Sequence, residues 1–116
     1  MDKINLSIIE GLNTGIIPLP PNLWSPNFFP SHKFYFVVLA DDDVTFFCSR
    51  EKLNGKGIYS AQEGKSLADY FKSRLGVPKN EMITIRDLIA YGRTEVDFYK
   101  DDEESFYMDF SVQVNG

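Results

Sequence analysis

Residues 33–50, KFYFVVLADDDVTFFCSR, are the stretch that decides the fold. Two runs rich in aromatic and β-branched side chains, 33–40 and 44–49, flank the acidic triplet 41–43. Such side chains favour extended strands, and a short run of aspartates favours a turn. The stretch therefore predicts a β-hairpin with its turn at the aspartates.

Further strands are predicted on both sides of this hairpin. The segment 4–8 alternates apolar and polar residues, and GIIPLP (15–20) is a short apolar run bounded by prolines. Near the C-terminus, 94–114 predicts a second hairpin with its turn at 101–104. One face of that hairpin's second strand carries Phe106, Met108, Phe110, Val112 and Val114. The glycine-containing segment 53–65 predicts a loop.

Two short helices are predicted between the hairpins. SLADYFKSRLG begins at the N-cap Ser66 and ends at Gly76, and TIRDLIAYG begins at the N-cap Thr84 and ends at Gly92. Because strands outnumber helices, the fold class is mainly β (α+β), with the strands closing into a compact barrel or pseudobarrel. A length of 116 residues predicts a single domain over 1–116.

The composition narrows the possible functions. With one cysteine, Cys48, and one histidine, His32, the chain predicts no internal disulfide, no metal site and no cofactor. No signal peptide and no apolar run of about 20 residues is present, so we expect a cytoplasmic protein without a membrane partner. The acidic runs 41–43 and 101–104 are interpreted as solvated turns rather than as cation ligands.

The charge is unevenly distributed. The net charge is -5, and residues 94–116 hold one basic and seven acidic residues. Between residues 50 and 65, by contrast, four basic side chains stand against two acidic ones. A locally basic loop in an acidic protein indicates a possible contact with an anionic partner.

The segment GIYSAQEGKS (57–66) ends as a nucleotide phosphate loop ends. That motif requires a glycine where this chain has Tyr59, so Gly64–Ser66 are interpreted as loop and helix cap. No base lies near Cys48 in sequence, and His32 stands alone after a proline-rich stretch. The sequence therefore favours a binding module over an enzyme.

The order of the segments IIPLP, YFKSRLG, YGRTEVDFYK and YMDFS resembles the C-terminal specificity domain of phospholipase-D-type restriction endonucleases. This resemblance covers about residues 4–111 and implies a B3-like, seven-stranded pseudobarrel with two short α-helices. It further implies that double-stranded DNA is gripped in the major groove between two arms. The domain alone is expected not to cut, since the paired H-x-K motif of the separate nuclease domain is missing here.

The resemblance also implies the site. The second arm falls on 49–60, and the first arm falls near 11–17 and is shorter than is usual in the family. The implied DNA-binding residues are Asn13, Thr14, Lys33, Arg50, Lys52, Asn54, Lys56, Tyr59, Ser60 and Arg93. Arg50 is expected to recognise a base, and Lys52 and Lys56 to contact phosphates. For Arg93, structural hydrogen bonds are the stronger alternative.

A second hypothesis stays open. The short first arm and the acidic C-terminal segment also suit a B3-like barrel that lost DNA recognition and became a protein-interaction module. A concave basic face beside 49–60 would favour DNA, and an unbroken acidic surface would favour a protein partner.

Overall fold

A computed structural model describes residues 2–9, 12–52 and 54–112 of the chain. The described residues form seven strands and two α-helices. The strands are β1 (Asp2–Ser7), β2 (Ile16–Pro18), β3 (Phe36–Ala40), β4 (Thr45–Arg50), β5 (Gly57–Ser60), β6 (Glu95–Asp102) and β7 (Ser105–Asp109). The helices are α1 (Leu67–Leu75) and α2 (Ile85–Tyr91), and 3₁₀ turns lie at Leu12–Thr14 and Pro21–Leu23.

All seven strands belong to one sheet, in the order β1-β6-β7-β3-β4-β5-β2. Neighbouring strands are antiparallel except β3 and β7, which are parallel. The two edge strands, β1 and β2, lie in contact, so the sheet curls into a nearly closed barrel. This confirms the predicted mainly-β, seven-stranded B3-like pseudobarrel with two helices. Neither helix in the described part of the chain is long and apolar enough to span a bilayer.

Phenylalanine rings fill the barrel. Phe29 is fully buried, with its ring centroid 4.9–5.4 Å from the centroids of four others. Those four rings belong to Phe28, Phe36, Phe98 and Phe106. Phe29 lies in the proline-rich segment 19–35 between β2 and β3, which we call the connection. The connection therefore contributes a central side chain to the aromatic core of the barrel.

The structure corrects the predicted loop over 53–65, because Gly57–Ser60 is a strand. β5 pairs with β2 on one side and with β4 on the other, and it buries Ile58. A side chain on Gly57 would collide with Ile16, so this position needs glycine for the close approach of the two strands. A four-residue strand with a single fully apolar side chain gives too little periodicity to be found from sequence.

The C-terminal hairpin is confirmed, with a shorter turn than predicted. β6 continues to Asp102, so only Glu103 and Glu104 separate it from β7. Phe106, Met108 and Phe110 are buried as predicted, whereas Val112 is 37 % exposed and lies beyond the strand. Val114 lies outside the described residues.

Both predicted helices are confirmed with their caps. The hydroxyl of Ser66 accepts a hydrogen bond from the Asp69 amide at 3.0 Å, and Thr84 forms a reciprocal capping box with Asp87. Gly76 and Gly92 end the helices.

Helix α1 is tied to the β3–β4 turn by a two-pronged ion pair. Arg74 donates to the two carboxylate oxygens of Asp41 at 2.7 and 2.9 Å, and the Phe110 amide donates to the same carboxylate at 2.8 Å. Burial opposes ionisation of Asp41, but the bonds from Arg74 and Phe110 outweigh it and hold the pKa below its ordinary value. The interpretation of Asp41 as a solvated turn residue is wrong, because α1 closes over it.

Replacing Asp41 with Asn is expected to lower the free energy of unfolding by about 3 kcal/mol at pH 7, because it leaves Arg74 partly buried without its counter-charge. The lowered pKa means that Asp41 stabilises the fold above about pH 4, and that this contribution is lost as the pH falls through the folded pKa. Urea titrations should therefore show the two proteins converging in acid. Asp43→Asn, at an exposed left-handed turn position with φ 68, is the control and should change stability by less than about 0.5 kcal/mol.

Cys48 of β4 faces the barrel core, and burial raises the pKa of its thiol to about 12. Since the thiolate is the reactive form, the native protein should not react with an aromatic disulfide reagent at pH 8. Labelling should occur at the rate of global unfolding and accelerate in denaturant. Labelling at the rate of a free thiol in native buffer would contradict the buried position.

Candidate nucleic-acid interface

A groove of about 420 Å³ lies between the two predicted arms, and we call it the inter-arm groove. The first arm contributes Thr14 to its lining, and the second arm contributes Lys52 and the two β5 residues Tyr59 and Ser60. Ser66, the N-cap of α1, also lines it. The structure thus brings four of the ten predicted site residues to one concave surface, although they lie up to 46 positions apart in sequence.

The pairing of three strands sets the floor of this groove. Tyr59 of β5 lies opposite Ile16 of β2 on one side and opposite Ser49 of β4 on the other. Alternate strand residues face opposite sides of a sheet, so these three side chains share one face, and the core-facing Ile58 lies on the other. The short, doubly paired β5 therefore presents Tyr59 between the arms.

Residues 51–56, the β4–β5 loop, form the projecting part of the second arm. The Gly55 amide donates to the Glu51 carbonyl at 2.9 Å, and the Lys56 amide donates to the Asn54 side-chain oxygen at 2.9 Å. These bonds form a compact turn that leaves Lys52, Asn54 and Lys56 exposed. Leu53 lies outside the described residues.

Lys56 is directed away from the groove. Its ammonium lies 4.2 Å from the ring centroid of Trp24 in the connection, and the Trp24 indole donates to the Leu19 carbonyl at 2.8 Å. A cation over an indole face is an attractive contact. Lys56 therefore joins the β4–β5 loop to the connection.

The first arm is short and anchored. Asn13 exchanges two hydrogen bonds with the Ile83 backbone: its amide donates to the carbonyl at 3.0 Å and its oxygen accepts from the amide at 2.7 Å. This holds the 3₁₀ turn Leu12–Thr14 against the segment before α2 and places Thr14 at the groove. Gly11 lies outside the described residues.

Residues 10–102 match the family described as the NgoFVII C-terminal B3-like DNA-binding domain. The chain belongs to this family. The matched range contains the inter-arm groove, both arms and the connection. No curated protein matches the chain. Membership makes this a DNA-binding domain by family, and the groove between the arms is its candidate DNA surface.

Within this B3-like domain Arg50 is a structural residue, which corrects the expectation that it recognises a base. It is 2 % exposed, and its guanidinium makes six hydrogen bonds of 2.9–3.0 Å. All six end on backbone carbonyl oxygens, those of Leu23, Trp24, Ser25, Phe29, Pro30 and Gly55. A guanidinium has five N–H donors, so none is left for a guanine.

Arg93 is also structural. Its side chain is 12 % exposed and donates to Asp97 at 2.7 Å and to the Ser111 carbonyl at 2.9 Å, with Glu95 and Asp109 both at 3.6 Å. The bonds to Asn5 and Arg93 outweigh burial and lower the pKa of Asp97. Arg93 holds the start of β6 to the end of β7. Of the two roles predicted for it, phosphate contact and structural hydrogen bonding, the structure shows the second.

Lys33 lies in the connection, where it is exposed. The connection crosses β4 at this point, because the Ser49 hydroxyl lies 3.1 Å from the Phe34 carbonyl and 3.5 Å from the His32 carbonyl. In the sequence, Ser49 was identified only as the first residue of the second arm, with no role of its own. Its role depends on a contact over 15 and 17 positions, which no local pattern reveals.

The charge at the interface is mixed. Lys33, Lys52 and Lys56 are exposed, and Glu51 lines the inter-arm groove together with Lys52. Among the described residues no group of three or more His, Cys, Asp or Glu side chains is placed to hold a metal ion. Binding at this surface would therefore rest on a few cations together with the hydroxyls of Thr14, Tyr59, Ser60 and Ser66.

Replacing Arg50 with Lys should lower the free energy of unfolding by about 3 kcal/mol or more, because an ammonium keeps the charge but cannot satisfy six carbonyls arranged around a planar fork. Lys52→Gln, two positions away and exposed, is the matched control and should stay within about 0.5 kcal/mol of the wild type. Urea unfolding followed by Trp24 fluorescence measures both. Equal stability of all three proteins would show that the carbonyl cage is not formed in solution.

Proposed function

We propose that the chain is a sequence-specific double-stranded DNA-binding module of a restriction endonuclease. The duplex would lie along the inter-arm groove with the β4–β5 loop entering the major groove. The observation that carries the proposal is the convergence of Thr14, Lys52, Tyr59 and Ser60 on one groove in a B3-like DNA-binding domain.

The groove supplies particular chemistry for recognition. Hydroxyl groups both donate and accept hydrogen bonds, so Thr14, Tyr59 and Ser60 suit base edges and phosphate oxygens alike. Lys52, on the exposed rim, suits a phosphate. Asn54 already accepts the Lys56 amide with its side-chain oxygen, so it offers a base chiefly its amide donors. With Arg50 occupied, the target should depend less on guanine contacts than on hydroxyl and amide contacts.

The proposal extends to the organisation of the protein. We take residues 1–116 as one DNA-recognition domain without catalysis of its own, acting in the cytoplasm within a restriction-modification system. The parent protein would be a type II restriction endonuclease in which a separate phospholipase-D-like nuclease domain cuts. The family description, which names a C-terminal domain of NgoFVII, supports this arrangement.

An alternative function, as a protein-interaction module, is favoured by another surface. The outer face of β3, β4 and β7 exposes Leu39, Phe47 and Tyr107 by 39 %, 50 % and 38 %. Burial and the nearby carboxylates of Asp41, Asp109 and Asp43 raise the pKa of the Tyr107 phenol. An exposed apolar and aromatic face of this kind would suit a protein partner better than the phosphates of DNA.

The DNA proposal is tested by incubating the protein with a randomised duplex library at low salt and sequencing the retained duplexes. We expect a gel shift at micromolar protein and enrichment of a short motif. Lys52→Gln should weaken binding to every duplex by about 3–10-fold and reduce the slope of log affinity against log salt by about 0.9.

Lys3→Gln is the control for the loss of one positive charge. Lys3 lies in β1, with its ammonium 5.5 Å from the Tyr99 ring centroid, and its replacement should leave affinity nearly unchanged. Absence of any shift and of any enrichment would reject DNA recognition and favour the interaction module. A shift without an enriched motif would reject sequence specificity alone.

A further inference from the structure

Two consecutive residues of β4 hold the same distant segment. Ser49 and Arg50 are the buried polar or charged residues among those that the structure describes, each 2 % exposed. Ser49 lies within hydrogen-bond distance of two carbonyls of the connection, at 32 and 34, and Arg50 bonds five more between 23 and 30. Because neighbouring strand residues face opposite sides of the sheet, β4 makes hydrogen-bond contacts with the connection on both of its faces.

These contacts place the connection beside the inter-arm groove. Ser49 lies directly opposite Tyr59 in the β4–β5 pairing, and Tyr59 is the floor of the groove. The backbone that Ser49 contacts carries His32 and Lys33, both of which are exposed. This stretch of backbone therefore lies on the side of Tyr59 away from the first arm.

A second depression, of about 310 Å³, lies on the other side of the β4–β5 loop. Trp24, His32 and Asn54 line it, and Lys52 lines both this depression and the inter-arm groove. The loop is thus a ridge with a concave surface on each side, and Lys52 belongs to both. A ridge entering a major groove about 12 Å wide has a phosphate backbone on each flank.

We propose, on the basis of the DNA-binding function above, that His32 and Lys33 form a third contact with the duplex. They bind phosphates of the strand flanking the second depression, while the first arm and Lys52 meet the opposite strand. Ser49 and Arg50 are positioning residues that fix the connection at the distance this contact requires. Glu103 and Glu104 line a further depression with Phe34, and this acidic pair bounds the phosphate-binding surface on that side.

The test uses a fluorescent duplex taken from the library selection and measures its dissociation constant from 50 to 300 mM salt. Lys33→Gln should weaken binding about 3–10-fold for all sequences and lower the salt slope by about 0.9, while Lys3→Gln changes neither. Ser49→Ala removes the hydroxyl that contacts the backbone on either side of Lys33, and it changes no charge. It should reproduce the loss of slope, and adding Lys33→Gln to it should cause little further loss.

The outcomes separate the two proposals. If the wild type binds and Lys52→Gln weakens it, but Lys33→Gln keeps the wild-type slope, the third contact is rejected and the DNA-binding function stands. The positioning role of Ser49 is rejected if Ser49→Ala lowers the affinity with an unchanged salt slope. It is also rejected if the affinity losses of Ser49→Ala and Lys33→Gln add fully in the double variant. If the wild type binds no duplex, both proposals fall. Should Ser49→Ala fail to fold, Ser49→Cys, which keeps the size but donates only weakly to the two carbonyls, replaces it, and the same loss of slope is expected.

Discussion

The buried guanidinium of Arg50 is the interaction on which the candidate site depends. A charge with 2 % exposure is tolerated only because six carbonyl oxygens surround it, and five of those belong to the connection. The same bonds seat Phe29 in the barrel and, through the Gly55 carbonyl, fix the β4–β5 loop. One side chain therefore couples the aromatic core to the surface that faces DNA in our proposal.

The molecule separates its charges by role. Three largely buried cations, Arg50, Arg74 and Arg93, are occupied within the fold by carbonyls or by carboxylates. Lys33 and Lys52 are exposed and carry charge that remains for a partner, whereas the Lys56 ammonium lies over the Trp24 ring. This division explains why the number of basic residues in a segment does not measure its capacity to bind phosphate.

Sequence patterns predicted the elements whose signals are local. The alternation at Phe106 and Met108 and the caps Ser66 and Thr84 arise from neighbours within a few positions, and each is confirmed. The strand β5 was missed because its stability comes from pairing on both sides and not from its own periodicity. Asp41 was interpreted wrongly as a solvated turn residue because its ion-pair partner, Arg74, lies 33 positions away in the sequence.

The sequence by itself determined the class of fold and the family, since hydrophobic periodicity, turn chemistry and the order of characteristic segments are properties of the chain. Only the tertiary structure decided which donors of the second arm are available. Arg50 and Lys52 are both basic residues of one short segment. Strand alternation directs the Arg50 side chain towards the carbonyls that surround it, whereas the turn leaves the Lys52 side chain exposed. The physical reason is that availability depends on partners 20 or more positions away, which close over one side chain and not over the other.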